Sequence, residues 1–262
     1  MRILSSLSFC ALSSLTCGAI AEETKPLSLD VELGIIATSG NTETSSVKTK
    51  FNIKQDFKKF KTHYIAEALY KEDQIEFELE GETQKEKRKS AERYFLSGQI
   101  DFKLDSEHKG LFGFASYEDD RFSGYEYQGT LALGFSNRLF DYDQSHLDYS
   151  VGPGIAFSKT EDVFDADDNL IAGESTQTAV VRASIDYLYN ISETAKFTQT
   201  ISSDIAAEQT KNTKTKSETA VTANLSSAFA LKAAFVVNHN THAPLGKRHA
   251  DTQTSLTVVY SY

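Results

Sequence analysis

Ser255-Leu256-Thr257-Val258-Val259-Tyr260-Ser261-Tyr262 closes the chain. Leu256, Val258, Tyr260 and Tyr262 alternate with Ser255, Thr257, Val259 and Ser261. A two-residue alternation puts one set on one face of a strand and the other set on the opposite face. The rhythm recurs back to about Leu27, with no helix-length apolar stripe between repeats. That pattern predicts an all-β fold, a closed antiparallel transmembrane β-barrel of about 12 strands.

The predicted strands span 27–38, 44–57, 61–72, 90–104, 110–119, 126–140, 145–159, 175–190, 195–208, 216–226, 229–240 and 251–262. Tight turns rich in Asp, Asn, Ser and Gly alternate with longer polar connections at 73–89, 160–174, 209–215 and 241–250. Such residues form turns through local side-chain hydrogen bonds and tolerance of positive φ. Short turns on one rim and long loops on the other is the barrel pattern, with the short turns periplasmic. Ser39–Glu43 departs from it, being short yet on the long-loop side.

Within strands the faces sort by polarity. Val47, Phe51, Ile53 and Phe57 oppose Lys48, Lys50, Asn52 and Lys54; Leu147, Tyr149, Val151, Ile155 and Phe157 oppose His146, Asp148, Ser150, Gly152 and Gly154. A dry core over the lysines, or water over the apolar set, would each be costly. Lipid outside and water inside suits both faces. Strands three and five sort poorly, and Phe112 and Phe114 fit either a lumen plug or a lipid contact. Aromatics near strand ends, among them Phe57, Phe60, Tyr117, Tyr127, Phe140, Tyr142, Tyr187 and Tyr189, fit interfacial girdles.

The amino terminus reads as an export signal. Arg2, an apolar run from Ile3 to Leu15, and Ala19-Ile20-Ala21 predict a cleaved signal peptide over 1–21 and a barrel over 22–262. A retained anchor and lipid attachment at Cys17 are the alternatives. Both cysteines, Cys10 and Cys17, lie in the signal segment, so a mature chain has no disulfide or thiol chemistry. The 37 acidic against 27 basic residues, a net charge of −10, argue against nucleic acid as a partner. The outer-membrane lipid and the barrel-assembly machinery are the expected partners. Tyr260 and Tyr262, a terminal aromatic pair on an alternating strand, are the expected assembly signal.

The candidate lumen charges are Asp30, Glu32, Lys48, Lys50, Lys54, Arg182, Asp186 and Lys232. They are expected to satisfy one another between neighbouring strands, or to select a solute by charge. Twelve strands imply a narrow or plugged lumen. The 72–89 segment is a candidate surface arm, with a Gly81-Glu82 turn setting Glu78 opposite Lys85 and Glu76 opposite Lys87. Asp165, Asp167, Asp168 and Asn169 form an acidic loop, but Leu170 and Thr176 stand where a calcium loop needs Gly and Glu. No catalytic constellation, cofactor motif or metal site stands out. Ser255, His239 and Asp251 as a barrel-wall hydrolase, and His239 with His242 as a metal pair, are the nearest approaches.

Several stretches resemble one bacterial family, the salt-induced outer-membrane proteins of unknown function. They are Ala37-Thr38-Ser39-Gly40-Asn41-Thr42-Glu43, Ala91-Glu92-Arg93-Tyr94, Tyr117-Glu118-Asp119-Asp120-Arg121-Phe122-Ser123-Gly124-Tyr125, Gly152-Pro153-Gly154 and the closing Val258-Val259-Tyr260-Ser261-Tyr262. The resemblance covers nearly all of the chain after the signal and implies an outer-membrane barrel of Gram-negative bacteria. It implies expression under salt or acid stress, and no established activity, ligand or catalytic residue. Asp120, Arg121 and Tyr125, in the most specific stretch, are expected to brace the mouth. The enlarged 72–89 connection departs from the family pattern.

Overall fold

The computed structural model describes residues 27–38, 44–79, 82–104, 108–120, 123–164, 170–244 and 247–262. Its strands are β1 (Ser28–Thr38), β2 (Thr44–Asp56), β3 (Phe60–Leu79), β4 (Glu82–Lys103), β5 (Gly110–Asp120), β6 (Tyr125–Tyr142) and β7 (Ser145–Thr160). They continue with β8 (Val163–Phe164), β9 (Leu170–Ile171), β10 (Ser175–Asn190), β11 (Ala195–Ala206), β12 (Lys214–Asn224), β13 (Phe229–Asn240) and β14 (Ala250–Ser261). All but β8 and β9 form a closed barrel in which sequence neighbours pair antiparallel and β14 returns to β1. The two-residue strands β8 and β9 pair with each other inside the connection between β7 and β10.

Alternation decides what each face meets. Leu33, Val47, Phe51, Leu131, Ile155 and Leu256 are exposed on the outside, and Leu133 reaches 69% exposure. Glu32, Lys48, Lys50, Glu67, Arg93 and Lys232 are buried inside. A transmembrane barrel tolerates this inversion because hydrocarbon covers the outer side chains and every ladder bond stays within the wall. Strand five follows the same rule: Phe112, 2% exposed, points into the lumen, and Arg182 lies 3.5 Å over the Phe114 ring. Both phenylalanines are therefore interior groups.

Both ends of the described chain meet on the short-turn rim, where Leu29 and Tyr262 exchange two backbone hydrogen bonds of 3.0 and 2.9 Å. Aromatic contacts ring this rim: Phe57–Phe60, Phe140–Tyr142, Tyr187–Phe197 and Phe229–Tyr260. A second set, Tyr117–Tyr127–Phe157, lies towards the opposite rim. The opposite rim carries the connections 161–174, 207–213 and 241–249. The Ser39–Glu43 connection and the acidic 165–169 loop lie outside the described residues, as does the 1–21 segment.

Residues 72–79 and 82–89 are strand, not loop. β3 and β4 stay paired out to Leu79↔Glu82, past the last β2 pair at Thr44↔Asp73. Six pairs therefore project beyond the wall on the β2 side, a reach of about 20 Å. The expected register needs correction: Glu76 is opposite Lys85, and Glu78 is opposite Thr83. Glu82 belongs to β4 and not to the turn, and a register shift at Lys71/Glu72 offsets the ladder below.

Candidate functional site: a charged lumen with an ion-paired waist

The lumen holds two chambers. One, of about 480 Å³, opens near the short-turn rim and is lined by Lys54, Asp56, His63, Arg138, Asp148 and Asp186 among others. The second, of about 280 Å³, lies under the long-loop rim and is lined by Phe114, Tyr125, Arg182, Asp204, Lys214 and Lys216 among others. Glu32, Lys48, Lys50, Glu67, Arg93, Glu218 and Lys232 line neither chamber and form the waist.

The waist is cross-linked by charge. Lys232 Nζ donates to Glu32 Oε1 and to Glu218 Oε1, both at 2.8 Å. Lys50 Nζ reaches Glu218 Oε2 at 3.4 Å. Arg93 donates to Glu67 at 2.6 Å and has Nε 3.7 Å from Glu118. Lys214 donates to Glu118 at 2.7 Å and to Gln128 at 2.8 Å. Arg182 pairs with Asp204 at 2.7 Å, and Thr130 donates to the other oxygen of that carboxylate at 2.8 Å. Pairing and hydrogen bonding of this kind offset the cost of burying ions.

Arg182–Asp204, Lys232–Glu218 and Arg93–Glu67 join neighbouring strands as expected, but Glu32 and Lys50 do not pair with each other. Glu32 stands opposite Lys50 in the β1–β2 register, yet it binds Lys232 from β13, while Lys50 turns to Glu218 on β12. Long side chains in a narrow lumen meet across it as readily as along the wall. Asp30 is held by Asn52 and by the Ser261 hydroxyl, the latter at 2.7 Å, and not by a lysine. Asp186 accepts from Ser184 and Thr200 beside the larger chamber, which Lys54 also lines. Lys48 has no ion pair or hydrogen bond among the described residues.

Glu67, Arg93, Glu118, Asp204, Lys214, Lys216 and Glu218 were absent from the sequence-based candidates. Their signal was parity: Lys214, Lys216 and Glu218 fall at every second position with Ala220 and Thr222 on one face of β12. Glu67 sits on β3, whose faces sort poorly by composition.

The mouth is braced by Tyr125, which is buried. Its hydroxyl donates to the His242 carbonyl at 3.1 Å, across the rim from β6 to the segment after β13. Asn212 completes the brace: its amide donates to Asn240 Oδ1 at 2.8 Å, and its Oδ1 accepts from the His242 N–H at 3.1 Å. The turn that aims Tyr125 needs Gly124, whose φ of +82° is unfavourable for residues with a Cβ. Asp120 contributes its carbonyl, which accepts from Ser123 Oγ at 2.8 Å. Arg121 lies outside the described residues.

The residues weighed for hydrolysis are not brought together. Ser255 is buried on the lumen face of β14, whereas His239 is exposed on the outer face of β13. One wall separates them.

The barrel resembles solved barrels in fold. The translocator domain of the autotransporter NalP from Neisseria meningitidis superposes with a TM-score of 0.51 at 12% identity, covering 91% of this chain and 88% of that one. The NanC porin gives 0.47 at 10% identity, over 88% of this chain and 98% of that one. In sequence, the uncharacterized protein YdiY of Escherichia coli strain K12 is 27% identical over 242 residues, covering 92% of this chain and 85% of YdiY. The model of a family described as proteins of unknown function, DUF481, matches residues 31–262, and the chain belongs to that family.

Proposed function

We propose that the protein is a narrow, non-enzymatic solute channel of a Gram-negative outer membrane. The observation that carries this reading is the lumen: two polar chambers on either side of a waist held by side chains alone. A packed apolar interior would suit a purely structural barrel; flexible charged side chains can part for a small solute. The apolar outer wall and its aromatic girdles support the bilayer setting. Export through a cleaved signal over 1–21, with the short-turn rim in the periplasm, follows from the same reading. Higher expression under salt or acid is part of it, and transcript levels after a salt or acid shift test that part.

The test of conduction is planar-bilayer recording with the purified barrel. Discrete, reproducible current steps are expected, and silence at every voltage removes the channel reading. Assembly has its own test. Tyr262→Ala keeps the backbone bonds to Leu29 but removes the terminal ring. It is expected to lower insertion in cells while refolding in detergent stays intact; unchanged insertion dismisses the ring as a signal.

The projecting β3–β4 hairpin favours a second reading, a barrel that meets a partner at the cell surface. Its backbone pairs extend past the wall, where they add nothing to closure of the lumen.

A further inference from the structure

We propose that the waist is an anion site and that the lumen passes anions in preference to cations, the conduction part resting on the channel reading above. The chain carries a net charge of −10, so an acidic interior is the simple expectation. The waist is the reverse. Lys48, Lys50, Arg93 and Lys232 converge there with the carboxylates Glu32, Glu67 and Glu218, and Lys216 borders them from the second chamber, where Glu118 is held by Lys214 and Arg93.

Each of those carboxylates is already held. Glu32 has Lys232, Glu218 has Lys50 and Lys232, and Glu67 has Arg93. Lys48 and Lys216 are left without an ion pair among the described residues. Lys216 lies over the Phe95 ring at 5.1 Å, a face that favours a cation without neutralising it. Lys48 is 5% exposed and stands opposite Gly34 in the β1–β2 ladder. Lys48 and Lys216 are the next inward positions, towards the long-loop rim, from Lys50 on β2 and Glu218 on β12, which meet at 3.4 Å, so both project from one stretch of the lumen wall.

A second, independent observation points the same way. Ser255 Oγ and Thr257 Oγ1 on β14 are buried and without hydrogen-bond partners among the described residues. Gly34 lies between Thr257 and Lys48: a Cβ there would be 2.8 Å from Thr257 Cγ2 and 3.7 Å from Lys48 Cβ. The unpartnered hydroxyls of β14 and the unpaired Lys48 of β2 thus flank the bare inner face of Gly34 on β1, with no acceptor supplied to them among the described residues. Unmet buried donors are costly, and a small anion meets donor and charge together. The ligand class is an inorganic anion or a small carboxylate.

The test uses the full barrel and a Lys48→Gln/Lys216→Gln variant. In a potassium chloride gradient the reversal potential is expected to give a chloride-to-potassium permeability ratio of about 3 or more, falling to about 1 in the variant. A ratio at or below 1, or one the variant leaves unchanged, overturns anion preference. Binding is read separately, as the thermal midpoint in detergent with sodium sulfate against sodium chloride at matched ionic strength. Sulfate is expected to raise the midpoint of the parent more than that of the variant. If sulfate does so and no current flows, the anion site stands and the channel reading falls. If sulfate affects both proteins equally, the site is wrong whatever the conductance.

Discussion

Glu218 shows how much of the waist depends on one side chain. It accepts from Lys232 and Lys50, which come from β13, its neighbour in the wall, and from β2, four strands round the barrel. Glu218→Gln keeps the shape and removes the charge, leaving Lys50 unpaired and Lys232 with Glu32 alone. Losing a partner costs more than the pair contributed, because the remaining charges stay inside. The expected outcome is a destabilisation of about 1–3 kcal/mol in detergent unfolding, with larger current steps as the cross-brace loosens. Unchanged midpoint and unchanged conductance would show that the other pairs hold the waist without it. Charge identity was legible at this scale for Lys50 and Lys232, since parity alone turns them inward. Their partner was not, because the Lys50–Glu218 contact spans 168 positions and joins strands that are not neighbours in the wall.

At the scale of elements, alternation located the strands well where one face is apolar. β13 runs Phe229–Asn240 as expected, and β10 runs Ser175–Asn190. At β3 and β4 it marked a hairpin arm but stopped the strands at 72 and 90 and missed the register, whereas they extend to Leu79 and back from Glu82. There Glu and Lys crowd the segment and mimic a solvated loop. In water a strand needs no lipid face, so composition and pairing part company. The projecting hairpin should therefore be separable from the barrel. Deleting 74–87 removes pairs that end beyond the β2 ladder, and a short link from Asp73 to Arg88 is expected to restore a tight turn. Folding, read as resistance to unfolding in detergent, is expected to stay within about 1 kcal/mol of the parent. A collapse of folding would show that the arm supports β4 and β5, and would weaken the reading of it as a surface arm.

At the scale of the whole molecule, closure is uneven around the wall. β13 and β14 share eleven residue pairs and so do β1 and β2, yet β1 and β14 share four, from Asp30↔Ser261 to Leu33↔Val258. Both strands continue towards the long-loop rim without further pairs between them among the described residues. An unpaired N–H facing hydrocarbon is costly, so such a seam persists only where water or lumen side chains reach it. The unpartnered hydroxyls of Ser255 and Thr257 lie on β14 beside this stretch. Local opening follows the fewest ladder bonds, which makes the upper β1–β14 edge the first place to exchange amide hydrogens. Hydrogen exchange in detergent is expected to run at least about 10-fold faster for those amides of 34–38 and 250–256 that point towards the β1–β14 seam than for central β12–β13 amides. Equal protection would mean that the seam is zipped to the rim, and that the wall has no weak line through which the lumen and the bilayer communicate.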